Sequence, residues 1–111
     1  MTGTEYQELA MRTASIPEDK KEKRLFHAVF GLTSEAGEVA GILQKSYQGH
    51  AINLEHMEKE LGDCLWMIAE ACNALDTTMD VIMQQNIDKL KARYPDGFEV
   101  DKSLHRAAGD M

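Results

Sequence analysis

Two pairs of acids carry the chemistry open to this chain. Glu35 and Glu38 stand three residues apart, and so do Glu60 and Asp63. On an α-helix that spacing places both carboxylates of a pair on one face, where like charges repel by about 0.2–0.5 kcal/mol unless a cation joins them. At ~100° per residue each pair lies beside the apolar stripe of its own segment, roughly 60–140° from the centre of that stripe. Antiparallel packing of the two stripes therefore brings four carboxylates together. Four oxygen donors with no His or Cys among them suit a hard cation, Mg²⁺ first and Mn²⁺ as a substitute. Mg²⁺ in particular takes a few carboxylates and fills its shell with waters and substrate phosphates. A di-iron bundle would need Glu-x-x-His on two helices, and neither pair has it. With nineteen acids in 111 residues, an isolated acidic pair is ordinarily a solvated helix face. These two are set apart by falling on consecutive segments, each beside the core seam and each next to a glycine, Gly37 or Gly62.

The elements that position these acids are read from periodicity and punctuation. Pro17 and Pro95 bracket the middle of the chain without interrupting it. A Thr4–Gln7 capping box opens a first helix reaching about Ala14. A second helix runs from about Glu18 to Gln48, with Leu25, Val29, Leu32, Ala36, Val39 and Leu43 in one stripe. Gly31, Gly37 and Gly41 weaken it by about 1 kcal/mol each relative to Ala, so they call for a close helix approach, a kink or a ligand. Asn53 caps a third helix reaching about Leu75, whose apolar face is Leu54, Met57, Leu61, Cys64, Leu65, Ile68 and Cys72. Thr77 and Asp80 open a fourth, with Val81, Ile82, Met83 and Leu90 inward, ending before Tyr94-Pro95-Asp96-Gly97. Periodicity ceases from Phe98. The expectation is an all-α, four-helix bundle-like fold with two long central antiparallel helices, one domain over residues 1–98, and an irregular tail over 99–111. A helix set of this size has little core of its own, which predicts assembly into a homodimer or homotetramer, a larger helical bundle.

Composition narrows the partners. Hydrophobic residues make up 43% and charged residues 28%, as in an ordinary folded domain. A net charge of -7 repels phosphate backbones and argues against nucleic acid as a partner. No apolar run is long enough to span a bilayer, and the first residues have neither a basic region nor an apolar one, so a cytoplasmic protein with no membrane partner is expected. Cys64 and Cys72, eight residues apart on one helix, are separated by about 12 Å, beyond disulfide reach; they read as reduced core residues.

The segments LTSEAGEVAG at 32–41, EKELGDCLWMIAEACNALD at 58–76 and NIDKLKARYPDGF at 86–98 resemble the MazG-type branch of the all-α nucleoside triphosphate pyrophosphohydrolase superfamily. The likeness runs in order from about Leu25 to Phe98. Its hallmark is ExxE followed by ExxD, here Glu35/Glu38 and Glu60/Asp63. The resemblance implies a cut between the α and β phosphates of a nucleoside triphosphate, giving a monophosphate and pyrophosphate, in nucleotide pool control or house-cleaning. It also implies Mg²⁺ on the four acids. A chain of charge -7 binds a polyanion only if metal ions bridge the two, which agrees. Water is the nucleophile, activated by the ion or by a carboxylate base, for which Glu38 is the candidate. Some relatives carry a further acid before the first ligand; Ser34 stands there in this chain, which weakens the case for a carboxylate base.

Asn86, Lys89 and Arg93 share a face at i, i+3 and i+7, an arrangement suited to donors along a triphosphate, and the resemblance puts substrate phosphates on the first two. A basic end of a helix also complements its dipole, which is the ordinary explanation of such cations. Lys45 is a further phosphate candidate. For the base, Trp66 offers a ring for stacking, with His27, Phe30 and Tyr6 as further pocket candidates, although packing explains each of them equally well. Two alternatives stay open: phosphoribosyl-ATP pyrophosphohydrolase, which shares the four-acid arrangement, and a non-catalytic helical module that binds nucleotide and metal.

Overall fold

The computed structural model describes residues 1–111, which form five helices and no sheet: α1 (Gly3–Met11), α2 (Lys21–Tyr47), α3 (Leu54–Ala74), α4 (Met79–Arg93) and α5 (Val100–Leu104). The all-α expectation with two long central helices holds. The chain divides into two compact units, Met1–Met79 and Asp80–Met111, a boundary that falls inside the stretch expected to form one domain.

In the first unit, α2 and α3 lie antiparallel, as their partners show: Lys21 meets Asp76, Arg24 meets Asn73, His27 meets Glu70, and Gly31 faces Met67, so numbers rise on one helix as they fall on the other. Gly31 permits this approach. A Cβ there would lie 2.5 Å from the Met67 sulfur, whereas one at Gly37, Gly41 or Gly62 would meet nothing within 4 Å. Asn53 caps α3 as expected, its side chain accepting from the His56 amide at 3.0 Å.

Two other helix starts differ from expectation. The α1 cap is Thr2, which accepts from the Glu5 amide at 3.0 Å, rather than Thr4. Thr2-Gly3-Thr4-Glu5 also fits the capping-box pattern, and it supplies an acid in the first turn that complements the helix dipole. The start of α4 is held from a distance: the Gln7 side chain donates to the Thr77 carbonyl at 3.0 Å and accepts from the Met79 amide at 2.8 Å. It thereby satisfies a donor that any helix leaves open at its beginning.

Most of the stripes expected to be inward are not buried by this chain. Val29, Leu43, Leu54, Leu61 and Leu65 are exposed, as are Val81, Ile82, Met83 and Leu90 on α4. What α1, α2 and α3 bury instead are small side chains, Ala10, Ala28, Ala69, Cys72 and Ala74, together with Met79. The largest fully buried side chain is Glu70. Small residues let the three helices approach closely, and the larger apolar ones fall on outer faces. Cys72 is buried and Cys64 partly so, both as free thiols.

In the second unit, α4 ends at a turn in which Gly97 takes a φ of +93° and the Tyr94 and Phe98 rings meet at 5.2 Å. The tail over 99–111 is not irregular throughout, as expected, but contains α5; five residues are too few for a periodicity to show. No helix of the chain is long and apolar enough to cross a membrane.

Candidate metal centre

The α2–α3 seam brings Glu35, Glu60 and Asp63 together, with one carboxylate oxygen of each within 4.8 Å of the others. Glu35 comes one turn after Gly31 on α2, and Glu60 and Asp63 face it from one side of α3. Three carboxylates at that separation, with no sulfur and no ring nitrogen in the group, form a hard-oxygen donor set that fits Mg²⁺ or Mn²⁺.

Their mutual repulsion is visible in Glu35. Partial burial first, then the charge of Asp63, a hydrogen bond with Glu60 and the charges of Glu60 and Glu38 all push its carboxyl above the ordinary value. The field of Asp63 reaches α1 as well: burial, and then Asp63, push the Tyr6 phenol up. Glu60 has one local partner, His56, whose Nε2 lies 3.0 Å from its Oε1 one turn back on α3.

Glu38 stands outside the three-carboxylate group. It lines a cavity of about 280 Å³ with Ile42, Lys45, His50, Asn53 and His56. Lys45, at i+7 from Glu38, thus shares a cavity with it, and His50 and His56 are neighbours that sequence reasoning did not include. His56 was readable, since it precedes Glu60 by four residues on a capped helix.

The base-pocket candidates have packing roles in the structure. The Trp66 indole N–H donates to the Ala10 carbonyl and to the Thr13 hydroxyl, both at 3.0 Å, so this side chain ties α3 to α1. The ring of His27 meets it edge-on at 6.3 Å. His27 Nδ1 hydrogen-bonds to Glu70 Oε1, and the second oxygen of that fully buried carboxylate has no partner. Phe30 is exposed at 68%.

Asn86, Lys89 and Arg93 lie in the second unit. Asn86 and Lys89 are exposed. Arg93 is engaged: its Nε donates to Asp110 Oδ2 at 2.8 Å and its Nη2 to Oδ1 at 2.7 Å, and its guanidinium lies 5.8 Å from the centre of the Tyr94 ring. Nothing in the sequence spacing pointed to Asp110, because the pairing spans a turn and a short helix.

Comparison with known proteins finds a family domain whose matched range includes both acidic pairs. The MazG nucleotide pyrophosphohydrolase domain matches residues 27–98. The chain is also 31% identical over 91 residues to the Gene 37 protein of Mycobacterium phage L5, covering 78% of this chain and 75% of that protein. No solved structure matches.

Proposed function

From the premise that this chain belongs to the MazG nucleotide pyrophosphohydrolase family, we propose that it hydrolyses nucleoside triphosphates between the α and β phosphates, releasing pyrophosphate. The observation that carries this reading is the convergence of Glu35, Glu60 and Asp63 at the α2–α3 seam. No Lys or Arg is paired with them and only His56 faces Glu60, and the donor chemistry fits a divalent ion of the kind this family depends on. Glu35, Glu60 and Asp63 would hold Mg²⁺, with Glu38 completing the set or serving as base. When bound, the ion supplies charge neutralisation for the phosphates.

The remaining roles fall to side chains. Glu38, outside the tight group and lining a cavity, is the residue we assign as the base that takes a proton from water. Lys45, which shares that cavity, is assigned as a phosphate contact, and Asn86, Lys89 and Arg93 on α4 are phosphate candidates on the strength of the sequence resemblance alone. His27 and Trp66 are the base-side candidates, His27 with its Nε2 available because Nδ1 is held by Glu70. The exposed apolar side chains on α2 and α3, Val29, Phe30, Leu43, Leu61 and Leu65 among them, support a homodimer or homotetramer. A cytoplasmic role in nucleotide pool control or house-cleaning follows from the same reading.

The test is turnover of a panel of ribo- and deoxynucleoside triphosphates with and without Mg²⁺, with pyrophosphate and orthophosphate separated by chromatography. Mg²⁺-dependent pyrophosphate release that is lost in Asp63→Asn is expected. No release from any nucleotide would overturn the reading, and turnover of phosphoribosyl-ATP alone would replace it with the histidine-pathway reaction.

A further inference from the structure

The second unit holds a charge arrangement opposite to that of the α2–α3 seam. It contains five Lys and Arg residues, Lys89, Lys91, Arg93, Lys102 and Arg106, and all but Lys91 line a single pocket of about 560 Å³ between the end of α4 and the chain that follows α5. His105 lines it too. Of the unit's six acids only Asp110 is there. In a chain of net charge -7, four permanent cations around one cavity, against the Asp110 side chain and the Met111 terminal oxygen that Arg93 Nη2 also reaches at 3.4 Å, are a local excess that folding alone does not require.

Asp110 shows what the pocket accepts. The turn that precedes it, with Gly109 at φ +83° and the Asp110 amide donating to the Ala107 carbonyl at 3.1 Å, aims the side chain back at α4. There it takes both parallel hydrogen bonds of the Arg93 fork, at 2.7 and 2.8 Å. Those bonds, followed by the charges of Arg93, Arg106 and Lys89, hold its carboxyl below the ordinary range against the opposing effect of burial. The guanidinium geometry that receives a carboxylate in this way also receives a phosphate, and a pyrophosphate group carries the additional charge that Lys89, Lys102 and Arg106 are left to neutralise.

We propose that this pocket is a binding site for a pyrophosphate-bearing anion, and that the Asp110 carboxylate is its resting occupant, displaced from Arg93 when the ligand enters. The proposal rests on the functional reading above only in sharing Lys89 and Arg93 as phosphate contacts. Lys102, His105, Arg106 and Asp110 are new to the site, and binding here needs neither the carboxylate cluster nor turnover.

The test is made on the full chain in EDTA, where the seam acids repel anions and hydrolysis is off. The Arg93 side-chain Nε–H resonance is followed by NMR while inorganic pyrophosphate is added at constant ionic strength. A saturable shift of that resonance is expected. Asp110→Asn, which removes the competing charge, is expected to tighten the apparent Kd about fivefold or more, because the binding-competent state is no longer occupied by the chain itself. Lys102→Ala combined with Arg106→Ala is expected to weaken it about tenfold or more, and Lys91→Ala to leave it unchanged. Far-UV circular dichroism confirms that each variant folds.

A second arm replaces pyrophosphate with a nucleoside triphosphate. Tighter binding of either one supports the site and names the source of the ligand. No shift of Arg93, an Asp110→Asn variant that binds no more tightly, or equal losses in Lys91→Ala and the double variant would overturn the proposal. Asp63→Asn separates the two readings: it abolishes the proposed hydrolysis and leaves the metal-free pyrophosphate titration as in the parent chain.

Discussion

The two ends of the α2–α3 seam treat charge in opposite ways. Toward the start of α2 polar groups are matched: Lys21 reaches Asp76 at 3.3 Å, Arg24 donates to the Ile16 carbonyl at 2.8 Å and to Asn73 Oδ1 at 2.5 Å, and His27 pairs with Glu70. Two turns further on, Glu35, Glu60 and Asp63 converge with only His56 set against them. Burying polar groups is tolerable when each finds a partner, and the first end meets that condition apart from one oxygen of Glu70. Gathering like charges costs stability and returns nothing to the fold, so its reason lies outside the isolated chain. One end of the seam holds the helices together, and the other gathers the carboxylates on which the proposed cation site rests.

The largest effect expected from breaking this contrast is on activity. Asp63→Asn at the unmatched end should lower Mg²⁺-dependent pyrophosphate release by about 10²–10³-fold or more, the scale on which removal of one preorganised charge-stabilising group acts. The urea midpoint should stay the same or rise, since a repulsive charge has gone. In the parent chain, Mg²⁺ at 100 times its Kd should add about 2.7 kcal/mol of stability, and this increment should shrink in the variant. A variant that loses stability and keeps activity would reverse the roles of the two ends.

At the matched end the expected effect is on stability. His27→Ala leaves the fully buried Glu70 without its partner, which should cost about 3 kcal/mol, at the lower edge for broken buried pairs because His27 is itself 44% exposed. Glu70→Gln, which keeps an oxygen for His27 and discards the charge, should recover most of that in the same urea titration. The surface pair Lys59–Glu55, at 3.2 Å on α3, sets the scale for comparison, at about 0.3–0.5 kcal/mol. A loss that small in His27→Ala would show that the two ends do not differ.

The contrast was legible only in part. Both acidic pairs, the helices that carry them and the Asn53 cap could be read from spacing, because they depend on residues three or four apart. The matched end could not. Arg24 reaches Asn73 and His27 reaches Glu70 across more than forty residues, and nothing local distinguishes these side chains from solvated ones. The same holds for Gln7, which caps α4 from seventy residues away. Trp66 lay off the stripe and so suggested a base-stacking ring, while its indole N–H bond to the Ala10 carbonyl on α1 could not be read from spacing. Exposure of Val29, Leu61 and Leu65 escaped the reading because periodicity shows which residues share a face without showing which chain covers it.

A smaller effect tests what lies over the open end. Gly37 sits between the two acids of α2, and a Cβ there meets nothing within 4 Å. Gly37→Ala should therefore stabilise by about 0.5–1 kcal/mol through helix propensity and a less flexible unfolded chain. At Gly31, nearer the matched end, the added methyl must push Met67 aside, and the same substitution should gain little or lose. A loss at Gly37 accompanied by a lighter species in sedimentation would mean that a second copy of the chain packs on that face.

The smallest effect concerns Asp110, a matched charge outside the seam. Its folded-state carboxyl is held below the ordinary 3.8 by the hydrogen bonds from Arg93 and then by the charges of Arg93, Arg106 and Lys89, so the link it makes is present above that ordinary value. It is lost only as pH falls through the depressed one. Lys102 and His105 also line the cavity, and His105 is turned to Asp101 at 3.0 Å. The Arg93 Nε–H resonance should be constant from neutral pH down to about 4 and move below it. With pyrophosphate bound, Asp110 should titrate in the ordinary carboxylate range, because the ligand has taken its place on the guanidinium. Identical titration with and without pyrophosphate would put the ligand elsewhere and leave the Arg93–Asp110 pair a purely structural match, like that of Arg24 and Asn73.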